Sequence, residues 1–267
     1  MGMILPDKSR GFASRLLQAL GPFRAALRPL MFTPLHPKFR RFVADFKTYQ
    51  RLSRSSEARF GVDWGDRYPC LDDYTATTAF DAHYLYHPAW AARIIAANKP
   101  ALHIDIASKL DFSAMLSAFV PTEFYDFRPA DVTLSHLVSR RADLTALPFP
   151  DASVASLSCM HVVEHVGLGR YGEPLDPDGD LKAIAQLKRV LAPGGSLLFV
   201  VPAGKPRLQF NAHRIYSFEQ IASYFGELKL QRFALVDDRG HFTDDADPAL
   251  VREQQYGCGC WWFMKGT

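Results

Sequence analysis

Leu187-Lys188-Arg189-Val190-Leu191-Ala192-Pro193-Gly194-Gly195-Ser196-Leu197-Leu198 is the stretch whose reading decides the fold. Upstream, over residues 180–191, Leu181, Ile184, Ala185, Leu187 and Lys188 recur near helical spacing. A proline and two glycines then stop the helix, because proline cannot donate a backbone hydrogen bond and glycine turns the chain sharply. The apolar run 196–201 that follows reads as a strand buried on both faces. Helix, abrupt stop and buried strand form the repeating unit of an α/β domain.

Working outward, further apolar runs at 101–107, 123–127, 154–160, 229–236 and 260–264 read as strands, with a weaker one ending at Asp143. Helices are expected at 88–98, 112–119 and 217–225. This order predicts an α/β fold with a Rossmann-like, mostly parallel seven-stranded sheet flanked by helices. Ligands in such a sheet bind beyond the carboxyl ends of the strands, where the strand order reverses.

The 267 residues, 48% hydrophobic and 22% charged, suffice for one core with an appendage. No apolar run approaches the roughly 20 residues of a membrane span, and the opening ten residues do not read as a secretory signal. Cys70, Cys159, Cys258 and Cys260 form no C-x-x-C or disulfide-rich pattern, so a reducing, cytoplasmic setting is the simplest reading.

The net charge of +3 conceals an asymmetry. Up to Arg54, eleven basic residues face only Asp7 and Asp45, a net of +9, so the remainder carries −6. Residues 1–60 therefore read as a basic helical extension punctuated by Pro22, Pro29, Pro34 and Pro37. Residues 61–267 form the body, divided into an aromatic-rich cap segment at 61–100 and an α/β core at 101–267. Within the head, Phe12, Leu16, Leu20, Phe23, Leu27 and Leu30 recur near helical spacing among Arg15, Arg24 and Arg28. Two readings stay open: residues 8–54 bind an anionic membrane surface, making the protein peripheral there, or they pack on the body as a lid. A nucleic-acid partner is not expected, because no recognised reader fold accompanies the basic residues.

Chemistry starts at Leu102-His103-Ile104-Asp105-Ile106-Ala107-Ser108, a buried strand running into small residues that let a ligand approach the backbone. Twenty-one positions beyond Asp105 stands Asp126, followed by Phe127, at the end of the second strand. That carboxylate is placed to hold ribose hydroxyls, or alternatively to cap a turn. Next come Asp143-Leu144, Leu147-Pro148-Phe149-Pro150-Asp151, the strand ending at Met160, and His161-Val162-Val163-Glu164-His165.

In series with the Pro-Gly-Gly corner, these motifs closely resemble the class I S-adenosylmethionine-dependent methyltransferase superfamily over roughly residues 101–202. Two further segments sharpen the likeness: 167–180, with Gly167-Leu168-Gly169-Arg170-Tyr171-Gly172-Glu173-Pro174, and 210–216, with Phe210-Asn211-Ala212-His213-Arg214-Ile215-Tyr216. These look closest to the family called domain of unknown function two-six-eight, a resemblance running from about Asp72 to the last residue.

The resemblance implies S-adenosylmethionine as cofactor. Asp105, Ile106, Ala107 and Ser108 would lie beneath its methionine part, Asp126 and Phe127 at the ribose, Asp143 and Leu144 at the adenine, and Met160 beside the reacting end. Ala107 and Lys109 depart from the pattern, standing where glycines are usual. His161 would be the general base, with His165 as a second catalytic residue. Alternatively, His161, Glu164 and His165 would hold a divalent metal, a possibility not favoured, or Glu164 and His165 would merely order the loop. The H-x-x-E-H spacing also matches an inverted zinc-protease motif, which leaves the neighbouring strand and corner unexplained.

Asp176, Asp178 and Asp180 read as a turn and helix cap. His83 and Tyr84 in the cap segment, with Asn211, His213 and Arg214 after the fifth strand, are the candidate substrate contacts, Arg214 as a clamp for phosphate or carboxylate. The implied reaction is O-methylation of a sugar, glycan precursor or other small polar metabolite. The competing readings are a non-catalytic methyltransferase-like subunit in glycan or envelope assembly, and a nicotinamide oxidoreductase, which lacks support because no G-x-G-x-x-G follows the first strand.

Overall fold

A computed structural model describes residues 36–54 and 59–267. The apolar stripe expected between Phe12 and Leu30 lies outside the described residues. The chain forms two units, Met1–Ala79 and Phe80–Thr267. In the first, helix α1 (Pro37–Arg54) presents Lys38, Arg40, Arg41, Lys47, Arg51 and Arg54 to solvent. Its other face sets Phe42 and Phe46 against Trp64, with ring centroids 6.1 and 4.9 Å apart. No described helix is long and apolar enough to cross a membrane.

The second unit runs α2 (Ala82–Asn98), β1 (His103–Ile106), α3 (Leu110–Leu116), β2 (Thr122–Asp126), β3 (Leu137–Arg141) and β4 (Val154–Met160). It continues with α4 (Gly179–Val190), β5 (Leu191–Ala203), β6 (Arg207–Gln209), β7 (His213–Ile215), α5 (Phe218–Tyr224), β8 (Lys229–Val236), β9 (Phe242–Thr243) and β10 (Gly257–Met264). One sheet has the order β3-β2-β1-β4-β5-β10-β8-β9, and β6 and β7 form a separate hairpin. Strands β3, β2, β1, β4 and β5 are parallel, whereas β10 runs antiparallel between β5 and β8.

This is the expected Rossmann-like methyltransferase fold, with eight strands in place of seven. The additional strand is the two-residue β9, which extends the edge beside β8 and is too short to show a hydrophobic period. Helix α2 begins at Ala82, earlier than the expected residue 88, because Asp81 caps it by accepting from the Tyr84 N–H at 3.2 Å. Pro88 falls inside the helix and not at its start. Helix α3 is correspondingly displaced from 112–119 to Leu110–Leu116.

Alternating residues of each central strand face two cores. Leu157, Cys159, Leu197, Phe199, Val201, Trp261 and Phe263 pack beneath α4 and α5, which contribute Ile184, Leu187, Val190 and Ile221. Met160, Leu198, Val200, Cys258 and Cys260 pack beneath α2 and α3, which contribute Trp90, Ile94, Phe112 and Leu116. Both faces are covered, so β5 beyond the Pro-Gly-Gly corner and β10 are largely apolar, while β4 also buries Ser156 and Ser158.

The Leu147–Asp151 turn and the end of α4 before the Pro-Gly-Gly corner are held by one clamp. Arg189 near the end of α4 donates to the carbonyls of Leu147 (2.9 Å) and Phe149 (2.7 Å) and to Asp151 Oδ1 (2.7 Å). Lys265 Nζ donates to the carbonyls of Lys188 (3.1 Å) and Leu191 (2.7 Å), satisfying groups the ending helix leaves open. The clamp holds the amino-terminal edge of the sheet and leaves the opposite edge for ligands.

Candidate active site

Strand order reverses between β1 and β4, and beyond their carboxyl ends lie two adjoining cavities. The smaller, about 250 Å³, is lined by Ile106, Ala107, Asp126, Phe127, Asp143 and Leu144, six of the nine expected cofactor positions. The larger, about 650 Å³, includes Ser108, Lys109, Met160, His161, Glu164 and Tyr84 in its wall. Ala107, His161, His165 and Tyr171 line both.

In the smaller cavity, Asp126 Oδ1 accepts the Arg128 N–H at 2.7 Å, and Asp143 Oδ1 accepts from the Thr145 N–H (2.8 Å) and hydroxyl (2.7 Å). Each carboxylate is thereby oriented by its own turn while its second oxygen stays available. Ile106, Phe127, Leu144, Val162 and Val166 supply apolar wall. A narrow apolar slot with acidic residues along it fits a nucleoside: hydroxyls to the carboxylates, the flat base between aliphatic side chains.

Asp105 does not join that set. It is fully buried, and its carboxylate accepts from the hydroxyls of Ser108 (2.6 Å), Ser113 (2.6 Å) and Ser158 (2.5 Å). Burial pushes its pKa up to about 6, although the three hydroxyl bonds act the other way. Ser108 also accepts the Met160 N–H at 3.1 Å, so Asp105 ties the loop after β1 to the end of β4. It positions the cleft from behind.

The departures from glycine separate into two cases. Lys109 has φ −62°, open to any residue, and its ammonium pairs with Asp111 at 2.9 Å. Ala107 has φ +53°, a left-handed conformation that costs a residue with a Cβ about 1–2 kcal/mol. Ala107→Gly is therefore expected to raise stability by up to about 1 kcal/mol, after subtracting glycine's larger unfolded-state entropy. Urea denaturation measures this, and a destabilised variant would show that the methyl's packing outweighs the backbone strain.

His161, also left-handed at φ +57°, follows β4 with its side chain only 2% exposed. Its Nδ1 lies 2.9 Å from Glu164 Oε1, which fixes the Nδ1–H tautomer and directs the Nε2 lone pair elsewhere. Nε2 is buried without a hydrogen-bond partner among the described residues, as is Glu164 Oε2. His83 stacks on His161 at 5.7 Å and on Tyr256 at 5.3 Å, while Tyr256 also faces His213 at 4.9 Å. Burial, then the neighbouring His161, lowers the His83 pKa to about 4, so its imidazole is neutral at pH 7.

The segment Val163–His165 is a single 3-10 turn. His161 and His165 are therefore not displayed one α-helical turn apart, as the zinc-protease motif requires. His165 Nδ1–H instead donates to the Ala212 carbonyl at 2.6 Å, anchoring the opposite wall.

Asn211 and His213 line the larger cavity, His213 held by Gln209 Oε1 at 2.7 Å from its Nε2. Arg214 does not. It donates to the carbonyls of Val166 (2.7 Å) and Pro177 (3.1 Å) and pairs with Asp180 at 3.5 Å. Its donors are spent on the 167–180 loop, so the expected clamp for a substrate anion is a clamp for the wall. Asp180, expected in a cap, is buried and accepts from the Tyr216 hydroxyl at 2.8 Å. Asp178 takes the capping position without a side-chain capping bond. Gly167 needs its freedom: at φ +79°, a Cβ there would lie 2.1 Å from the Asp176 carbonyl oxygen.

Tyr171, Arg170 and Tyr256 complete the larger cavity without having been assigned a role from sequence. Tyr171 and Arg170 lay within the quoted Gly-x-Gly-Arg-Tyr-Gly segment, a signal left unused. Tyr256 gave none, because antiparallel β10 alone returns its start to the carboxyl ends of the parallel strands.

A model of the family described as "Caenorhabditis protein of unknown function, DUF268" matches residues 151–233, in agreement with the resemblance. No curated protein sequence matches. Among solved structures, a protein from Bacillus halodurans with a provisional methyltransferase name aligns at TM-score 0.50 and 14% identity, covering 67% of this chain and 99% of its own. Another is 1,6-didemethyltoxoflavin-N1-methyltransferase from Burkholderia thailandensis, with bound 1,6-didemethyltoxoflavin and S-adenosylhomocysteine. It aligns at TM-score 0.47 and 14% identity over 68% of this chain and 79% of that one. The N-methyltransferase NodS from Bradyrhizobium japonicum aligns at 0.47 and 16% over 70% and 98%. At such identities the likeness is one of fold, that of the class I methyltransferases.

Proposed function

We propose that the protein is an S-adenosylmethionine-dependent methyltransferase that methylates an oxygen of a sugar, glycan precursor or other small polar metabolite. The observation that carries the reading is His161 Nε2: a buried lone pair without a partner, oriented by Glu164, in the wall shared by both cavities. An oxygen nucleophile must shed its proton during attack, and an oriented neutral imidazole is suited to receive it. Bound in the cleft, S-adenosylmethionine supplies a methyl group on a sulfonium, which is intrinsically reactive.

The chain's own residues have three tasks. Asp126 and Asp143 hold hydroxyl and amino groups in the smaller cavity. Tyr84, Tyr171 and Tyr256 give the larger cavity broad faces for sugar C–H groups, while Asn211 and His213 supply polar contacts. His161 takes the proton, and Glu164 steadies the resulting imidazolium.

Calorimetric titration with S-adenosylhomocysteine tests the reading. Binding is expected, and Asp126→Ala should weaken it by about 1.5–3 kcal/mol, the worth of a hydrogen bond to a charged acceptor. If neither S-adenosylmethionine nor S-adenosylhomocysteine binds at millimolar concentration, the non-catalytic subunit in glycan or envelope assembly takes its place.

A further inference from the structure

We propose that His83, His161 and Cys258 form a binding site for one zinc-type divalent ion at the edge of the larger cavity. The ion's catalytic role, unlike its binding, rests on the methyl-transfer reading. The donor set differs from the one that H-x-x-E-H suggested. His165 has committed Nδ1 to Ala212, and Glu164 serves His161 from behind. The ligands come instead from three separated elements: the first turn of α2, the residue after β4, and the start of β10.

Four observations support the assignment. One ligand atom from each residue can be chosen so that all three lie within 4.8 Å of one another. An ion with bonds of about 2.0–2.3 Å would draw them together by roughly 1 Å. His161 Nε2 is a buried lone pair that no described group satisfies. His161 Nδ1 rests on a carboxylate, the arrangement that orients metal-bound imidazoles and raises their basicity. His83 stacks on His161 with ring centroids 5.7 Å apart, so the two imidazoles already lie side by side.

Two imidazoles and one sulfur favour zinc-like ions over magnesium or calcium. Cys258 is a fully buried thiol. It would bind as thiolate, so each ion taken up releases one proton from Sγ to solvent. Three protein ligands leave a fourth position for water or an acceptor hydroxyl, the pattern of catalytic rather than structural zinc. In the loaded protein the ion would engage the Nε2 lone pair and acidify that hydroxyl itself, whose proton would then leave to solvent through the larger cavity.

The test uses the full chain, stripped with a chelator and titrated with Co²⁺, followed by Zn²⁺ competition. Expected are saturation at one equivalent, a thiolate-to-cobalt charge-transfer band, release of about one proton per ion, and displacement by Zn²⁺. Cys258→Ser should abolish the band, and His83→Gln should weaken binding at least about tenfold. Absence of saturable binding, or a band that survives Cys258→Ser, overturns the proposal. Should Cys258→Ser fail to fold, unchanged affinity in His83→Gln overturns it equally. S-adenosylhomocysteine calorimetry on the same samples separates the two ideas: the nucleoside binding without the metal refutes only the ion, and the reverse refutes only methyl transfer.

Discussion

His161→Ala is expected to lower methyl-transfer turnover by about 10²–10⁴-fold, the usual contribution of a positioned general base, with S-adenosylhomocysteine affinity nearly unchanged. This loss applies to the metal-free protein under the methyl-transfer reading and follows from the tautomer. Glu164 Oε1 accepts Nδ1–H at 2.9 Å, so Nε2 alone can take a proton, and its burial excludes bulk water as a competitor. Alanine at this site inherits the left-handed backbone, φ +57°, and part of any loss could then be loop distortion. His161→Asn controls for that, because asparagine tolerates the conformation yet supplies no base; it should be as slow as the alanine variant. Glu164→Gln keeps an acceptor for Nδ1–H but removes the negative charge that steadies the imidazolium, so an intermediate loss is expected. Turnover of a labelled methyl group into an identified acceptor is the measurement. Near-normal turnover in both His161 variants would leave catalysis to positioning alone.

What sequence made legible follows the range of the interactions involved. The helix over 180–191 and its Pro-Gly-Gly stop are written in local chemistry, and α4 ends at Val190 accordingly. The place of Asp126 and Asp143 in the smaller cavity's wall is also local, since each ends or closely follows a strand and is oriented by a turn two residues long. The roles of Arg214 and Asp180 are not local, for their partners lie 34 to 48 residues away, and only the folded 167–180 loop shows that their charges face each other and nearby carbonyls. His83 is a similar case. Its position before β1 suggested a pocket wall, but its stacking between His161 and Tyr256 depends on β10 returning antiparallel. Single charged residues near strand ends thus divide into those that line a cavity and those that support its wall, and long-range pairing decides which.

Asp105 is the clearest instance, and its removal is expected to cost the most stability. Asp105→Ala would leave the hydroxyls of Ser108, Ser113 and Ser158 without their acceptor in a dry interior. Each unsatisfied buried donor costs about 1–3 kcal/mol, and partial rescue by rotation puts the whole at roughly 3–5 kcal/mol. The loop carrying Ala107 would loosen with it, since Ser108 also holds Met160 N–H. Asp105→Asn separates shape from charge. Burial raises the folded pKa to about 6 from 3.8, so the folded state holds the proton more tightly than the unfolded chain. The resulting stabilisation is fully present below pH 3.8 and is lost as pH rises through about 6, a change of roughly 3 kcal/mol. His83 and His103, whose pKa values burial lowers to about 4 and about 3, give the opposite slope, as does His87. The informative quantity is therefore the stability of wild type minus that of Asp105→Asn, measured by urea denaturation between pH 4 and 7. It should fall as pH rises, because the buried charge forms only in the wild type. A difference that stays constant across that range would mean that Asp105 does not change protonation there, and that the three serines hold it as a carboxylate throughout.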